Sequence, residues 1–356
     1  MRFGVFLPNG KNGYIISSGS PQYDPTYEHN KQISIAAEQQ GFDLVLSMMK
    51  YRGFGGETGY WDACLESFTL MAALAVETKR VELYPSVTLL AHHPAIVARM
   101  VATIDDISNG RCGLNIVTGW NKPEYSQMGL WRGDEYYNQR YQYAREYLGV
   151  VKALWRDGNT THHSENFNLE DCMSMPKPRH KIPIVCAGMS PAGIEFTAEM
   201  GDYNFVFASK DKLKEIVPQV KQMAARNNRK VGTYALFHLI AAETESEARR
   251  FADDIVNQAD RKAIDNVVAS SVLDTNTDGT SQRQRESLEK HYEEGNTAFM
   301  SIPVLVGSYR GVDAQLDELA EVTGIDGALF SFPDFVASVR DFGEKIMPHL
   351  TNGAPG

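Results

Sequence analysis

Short aliphatic and β-branched runs recur along this chain, each followed by a stretch with apolar residues every three or four positions. That switch between a period near 2 and a period of 3.6 is the pattern of βα units that feed a parallel sheet. Eight runs read as strands, at 2–7, 43–49, 81–88, 112–118, 182–187, 203–208, 233–242 and 327–332. Helices are predicted near 27–40, 64–78, 94–108, 134–156, 190–200, 211–227, 244–260 and 333–348. Thr244 and Glu247 make a capping box at the start of one of them, and a ninth amphipathic stretch, 312–322, precedes the last strand. Eight strands with eight crossovers favour an α/β fold closed into a (β/α)8 barrel, which takes about 250 residues in its plain form. The 356 residues therefore predict one TIM-barrel domain over 1–356 with insertions. An open doubly wound sheet, or two α/β domains of about 150 residues each, are the alternatives.

Two segments break the rhythm. Residues 157–181 are polar, hold Pro176, Pro178 and His162-His163, and predict a loop before strand five. Residues 261–301 contain a run of turn formers from Asp274 to Ser281. An insertion of that length before strand eight predicts a lid, a binding loop or disorder. The tail 351–356 is expected to fray.

Composition narrows the function. The hydrophobic fraction of 43% and charged fraction of 22% are those of a globular protein. A net charge of −10 argues against a nucleic-acid polymer as partner. Cys64, Cys112, Cys172 and Cys186 form no CxxC pair, so neither a disulfide framework nor a zinc site is indicated. The opening run is broken by Pro8, and no stretch reaches the roughly 18 apolar residues of a membrane span, so the expected location is the cytoplasm.

A barrel enzyme works at the C-terminal ends of its strands, where this chain places Ser47 to Lys50, Ser86 and Thr88, Asn115 to Trp120, and Cys186 to Ser190. A buried primary amide such as Asn115 needs partners for two donors and an acceptor, which a flat ring with N–H and C=O groups supplies, as does a neighbouring loop. The Gly188-Met189-Ser190 turn opens a helix, a place where free N–H groups favour a phosphate, although most Ser-capped helices bind nothing. Gly53-Phe54-Gly55-Gly56 lacks GxGxxG spacing and reads as a mobile active-site loop or a plain turn. His92-His93 has no third ligand at metal spacing. His238 in mid-strand is a core histidine by default and a candidate acid or base if it lines the barrel.

Taken together, Phe3-Gly4-Val5-Phe6, Arg52-Gly53-Phe54-Gly55-Gly56, 94–100, Asn115-Ile116-Val117-Thr118-Gly119-Trp120 with Pro123-Glu124-Tyr125, and Val306-Gly307-Ser308-Tyr309 resemble the bacterial luciferase-like flavin monooxygenases. Within them the chain is most similar to the branch that opens pyrimidine rings. The resemblance implies a barrel that binds FMN, supplied in reduced form by a separate NAD(P)H:flavin reductase, with O2 as cosubstrate. It implies FMN contacts at Met49, Lys50, Asn115, Glu124, Arg140, Tyr141 and Ser190. It also implies an oxygen pocket near flavin N5 at Leu46, Ser86, Asn115 and Trp120, Ser86 standing where the branch has threonine. The implied reaction is oxidative C–N cleavage of uracil or a similar N-heterocyclic amide, by a homo-oligomer, dimer or tetramer.

Some positions depart from that branch. Ala91-His92-His93 replaces its Thr-Leu-Pro, and Cys64 and His238 match the cysteine and histidine of alkanesulfonate monooxygenases instead. Those relatives pair the histidine with an arginine and a tyrosine, where this chain has Leu236 and Phe332. A sulfone, a sulfonate or another C–S or C–halogen compound is thus the alternative substrate. A deazaflavin-dependent hydride-transfer enzyme and a non-catalytic flavin-binding protein are the alternative classes.

Overall fold

The computed structural model describes residues 1–274 and 286–351. The turn-former run beyond Asp274 and the tail 352–356 lie outside the described residues.

The predicted apolar runs form a parallel sheet in the order β3-β2-β1-β12-β10-β9-β8-β5-β4. These strands are β1 Arg2–Leu7, β2 Leu44–Ser47, β3 Glu82–Tyr84, β4 Ser86–Thr88, β5 Leu114–Val117, β8 Ile184–Ala187, β9 Tyr203–Val206, β10 Gly232–Ala242 and β12 Gly327–Ser331. The two ends of that order, β3 and β4, are halves of one run interrupted by Pro85, so the sheet closes into a barrel. Pro85 has no N–H to give a ladder. Its carbonyl still accepts from the Asn115 N–H at 2.9 Å, and Leu83 exchanges bonds with Arg111 and Gly113. Nearly every strand residue is buried on both faces, which is why these strands read as continuous apolar runs.

Helices cover the barrel from outside: α1 Tyr27–Gln39, α2 Ser67–Glu77, α3 Pro94–Ser108, α5 Tyr136–Asp157, α6 Pro191–Met200, α7 Lys210–Arg226 and α8 Glu245–Asn257, while the short α4 Lys122–Ser126 lies at the mouth of the barrel, beside its cavity. The Thr244 capping box starts α8 as predicted. His93 caps α3 by accepting from the Ala95 N–H through Nδ1, and His92 sits against the Thr88 carbonyl, so each histidine has a local partner. No helix of the described residues is long and apolar enough to cross a membrane.

The two insertions carry more order than their composition predicts. Residues 159–173 form an antiparallel hairpin, β6 Asn159–His163 with β7 Asn168–Met173. Most of its residues are exposed or half-buried, so no alternating apolar face betrayed it. The second insertion contains α9 Arg261–Val272, capped by Asp260, and a further strand, β11 Val304–Ser308, follows it. β11 runs beside the C-terminal half of β10, Val304 in register with His238, on the edge that β9 leaves after Ala235. Two further α-helices of the described residues are α10 Tyr309–Thr323 and α11 Phe335–Asp341.

Asp260 ties the second insertion to the glycine loop. Its Oδ2 accepts from the N–H and the hydroxyl of Thr58 at 2.8 and 2.9 Å, and its Oδ1 caps α9 at the Ala263 N–H. These donors hold its carboxyl below the usual aspartate value against the opposing effect of burial. Gly56 has φ +79°, and a Cβ there would collide with the Asp260 carboxylate, so this position admits only glycine. Asn266 adds a bond from Nδ2 to the Phe54 carbonyl at 2.7 Å. Asp260→Ala should therefore speed hydrogen exchange at the Thr58 and Ala263 amides at least tenfold, leaving the β1 and β12 amides protected, as read by mass spectrometry of peptides.

Candidate active site

The C-terminal strand ends surround a cavity of about 1080 Å³, counting its open mouth. That is the scale of a small-molecule site. β1 gives Phe6, the chain after β2 gives Met48 to Lys50, β4 gives Ser86 and Thr88, and β5 with its loop gives Asn115, Val117, Gly119 and Trp120. Ala187 and Gly188, Phe205 and Leu236 complete the ring from β8, β9 and β10. A narrower recess of about 480 Å³ opens beside it and shares Gly119, Trp120, Gly188 and Met189 with it. Arg140, Tyr141, Ser190 and Asp274 line that recess. The combined space is long, apolar at one end and cationic at the other.

Asn115 stands at the base of the cavity. Its Nδ2 donates to Ser86 Oγ at 2.7 Å, and Ser86 Oγ donates to the Ser47 carbonyl. Asn115 Oδ1 is buried and has no partner. Among the described residues lining the cavity, it is the buried side-chain polar atom left unpaired. An unsatisfied buried acceptor costs about 1–3 kcal/mol, so this atom is built for a ligand that brings an N–H.

Lys50 is enclosed rather than free. Its ammonium bonds Glu124 Oε2 at 2.7 Å and lies 5.0, 5.1 and 5.7 Å from the ring centres of Phe54, Trp120 and Trp61. Glu124 Oε1 accepts from the Tyr51 N–H at 2.7 Å. The pair is almost wholly buried, with side chains 5% exposed on each partner. Both Glu124 oxygens are thus engaged within the protein, and Glu124 acts by fixing Lys50 and the loop that follows it. Three rings over one ammonium compensate part of its desolvation.

In the recess, Arg140 Nη1 pairs with Asp274 at 3.1 Å, while Arg140 Nε has no partner. Ser190 caps α6 by accepting from the Gly193 N–H, so the first turn of this ten-residue helix faces the recess. A Cβ on Gly193 would lie 2.6 Å from the Tyr141 hydroxyl, and one on Gly188 would lie 2.9 Å from it, so glycine lets backbone and phenol meet. A free guanidinium N–H, a phenol and a helix N-terminus make a fitting cradle for a phosphate.

The positions expected from the sequence therefore fall together, with one apart. Ser86, Asn115, Trp120, Met49, Lys50 and Glu124 line the cavity, and Arg140, Tyr141 and Ser190 line the recess. Leu46 is fully buried in β2, in register with Phe6 and Tyr84, and does not line the cavity.

The model for the family described as luciferase-like monooxygenase matches residues 1–327. The chain belongs to that family. Luciferase-like monooxygenases are flavin-dependent enzymes that use O2. The chain is 45% identical to the pyrimidine monooxygenase RutA of Acinetobacter baylyi over 99% of its length and 95% of the relative's. It is equally 45% identical to the RutA of Methylorubrum populi, over 99% of this chain and 93% of that one. Among solved structures, a riboflavin lyase described with modified FMN and riboflavin superposes with a TM-score of 0.79 at 21% identity, covering 98% of this chain and 90% of the other. That last likeness speaks for the barrel alone.

In this luciferase-like monooxygenase the apolar walls of the cavity were not legible in the sequence. Tyr14, Trp61, Met300 and Ile302 line the cavity from loops. Apolar side chains in loops carry no signal that separates a ligand wall from ordinary core. Met300 and Ser301, at φ +54° and +63°, are left-handed non-glycine residues, a backbone strain that no residue type announces. Of the departures, Leu236 is an apolar wall of the cavity, and Phe332 packs on Phe330 and Phe335 away from it. Burial pushes the Cys64 thiol up to about 12, which keeps it protonated and unreactive.

His238 is a core histidine. It is fully buried, lies against the Phe299 ring and donates from Nε2 to the Phe299 carbonyl at 3.2 Å. Burial lowers its pKa to about 3, so it stays neutral in the folded protein. A histidine depressed from 6.5 stabilises the fold above pH 6.5, and that contribution is lost as pH falls toward 3, because only the unfolded chain takes the proton. Between pH 7 and pH 5 this amounts to about 2 kcal/mol. His238→Gln should lose correspondingly less unfolding free energy than the parent over that interval in urea denaturation. Parallel losses in the two proteins would show that His238 does not titrate in this way.

Proposed function

We propose that this luciferase-like monooxygenase is a two-component FMN enzyme that oxidatively opens a pyrimidine ring of the uracil type. The observation that carries the reading is the cavity itself, where apolar and aromatic walls stand over one orphaned amide oxygen, Asn115 Oδ1, which the flavin ring would take, leaving a neutral face for the substrate. The high identity to two pyrimidine monooxygenases over nearly the whole chain supports the same reading.

The residues fit the cofactor. Arg140 Nε, Tyr141 and the Ser190 helix start would hold the FMN phosphate, while Asn115, Met49 and Lys50 would meet its ring. When bound in reduced form, FMN supplies the electrons that activate O2. The protein's own part is positioning and exclusion of water. Phe6, Tyr14, Trp61, Phe205 and Trp120 would enclose the reacting ring, and the Tyr14 hydroxyl is turned away to the Leu7 carbonyl. Ser86 and Trp120 confine the small volume beside Asn115 in which O2 would react. An NAD(P)H:flavin reductase is the implied partner.

The same walls speak against a sulfonate. Lys50 is already neutralised by Glu124, and Leu236 offers no charge to an anion entering this cavity. A neutral amide-bearing ring needs no such counter-charge.

Two measurements test the reading. With FMN, a flavin reductase, NADH and 18O2, the protein should convert uracil to a ring-opened product that carries one labelled oxygen, and an unlabelled or unchanged pyrimidine in the mass spectrum would sink the substrate assignment. Arg140→Gln should weaken FMN binding by roughly tenfold or more while leaving riboflavin binding within a factor of two, since riboflavin lacks the phosphate. Equal weakening of both in fluorescence titration would remove Arg140 from the phosphate site.

A further inference from the structure

β2 and the β3/β4 run are neighbours whose ladder stops short of the cavity. Leu44 pairs with Glu82 and Leu46 with Tyr84, a register that would next send the Ser86 N–H to the Ser47 carbonyl. Side-chain hydroxyls replace that bond. The Ser86 N–H donates instead to Ser67 Oγ at 2.7 Å, and the Ser47 carbonyl accepts from the Ser86 hydroxyl. Ser67, the first residue of α2, also lies 2.6 Å from Ser47 Oγ. Ser47, Ser67 and Ser86 are all fully buried.

This arrangement has a direction. A serine hydroxyl has one proton, and that of Ser86 is committed to Ser47. Toward Asn115 it offers only lone pairs, so Asn115 must present Nδ2, and its Oδ1 is left for the cavity. A reversed amide would set two acceptors against each other. Ser67 secures the arrangement by taking the Ser86 N–H, which would otherwise compete for the Ser47 carbonyl and release the Ser86 hydroxyl to turn.

We infer that Ser67, together with the Ser47 hydroxyl, is a positioning residue that sets the polarity of Asn115 and so makes the base of the cavity select ligands presenting an N–H. The polarity of the amide stands on the apoprotein alone, and the choice of FMN as probe rests on the proposed function.

The test separates the two. In apoprotein labelled with 15N-asparagine, the Asn115 side-chain amide, assigned by its loss in Asn115→Asp, should give one resolved pair of slowly exchanging protons. Ser67→Ala should broaden or shift that pair and raise its exchange rate at least tenfold with little change in melting temperature, and Ser67→Thr, which keeps the hydroxyl, should restore it. Reduced FMN carries an N–H at N5 where oxidised FMN has a lone pair. The preference for reduced over oxidised FMN, from anaerobic titration, should fall by roughly fivefold in Ser67→Ala and recover in Ser67→Thr. An unmoved Asn115 signal with an unmoved preference in folded Ser67→Ala overturns the inference. Should Ser67→Ala not fold, Ser47→Ala tests the same relay, and an unmoved amide there overturns it equally. An apoprotein response as expected with no FMN binding by the parent sustains the inference and rejects the cofactor assignment.

Discussion

The bond from the Ser86 hydroxyl to the Ser47 carbonyl is where the barrel's closure and its chemistry meet. A closed parallel sheet satisfies its backbone groups around the whole circumference, and here the ring is completed through a run interrupted by Pro85. Beyond that residue, the bond between neighbouring strands passes from backbone to side chain. The exchange joins two strand serines, Ser47 and Ser86, to Ser67 of α2 in one buried network beneath the cavity. Asn115 inherits its orientation from this detail of sheet closure.

A second dependence runs through α9. Asp260 at its start and Asn266 in its middle hold the glycine loop that carries Phe54 and Trp61 over Lys50. Asp274, just beyond its end, pairs with Arg140 in the recess. One helix of the insertion therefore braces the aromatic cover of the cavity and leads to the residue that pairs with Arg140, the cation of the recess. The buried Lys50–Glu124 pair needs that cover, because two desolvated charges persist only where geometry and neighbouring groups compensate them.

How much of this the sequence disclosed depends on which physical signal each part leaves. The barrel strands were legible because burial on both faces makes each a continuous apolar run. The β6–β7 hairpin and β11 were not, the first because its residues are polar and largely exposed, the second because it is a run of only five residues that follows Pro303 and contains Gly307. Asn115 was legible as an amide among aliphatic neighbours, and its companions through resemblance. Ser67 was not, since a serine in the first turn of a helix reads as an ordinary start signal. Met300 and Trp61 were hidden for the opposite reason, because an apolar wall of a cavity and an apolar core have the same composition.

Chemical selectivity follows from how the charges are spent. The chain carries a net charge of −10, yet the cations at its site are internally balanced, Lys50 by Glu124 and Arg140 in part by Asp274. An anion entering the main cavity would find no uncommitted cation among the described residues that line it, while a phosphate in the recess would still find the Arg140 Nε proton. The site thus separates two tasks in space. The recess can hold charge, and the cavity offers a single neutral acceptor under aromatic walls. A cofactor with an anionic tail and a flat ring fits the two together, and a substrate entering after it meets apolar faces. Such faces favour a flat neutral ring over any molecule that must keep its water.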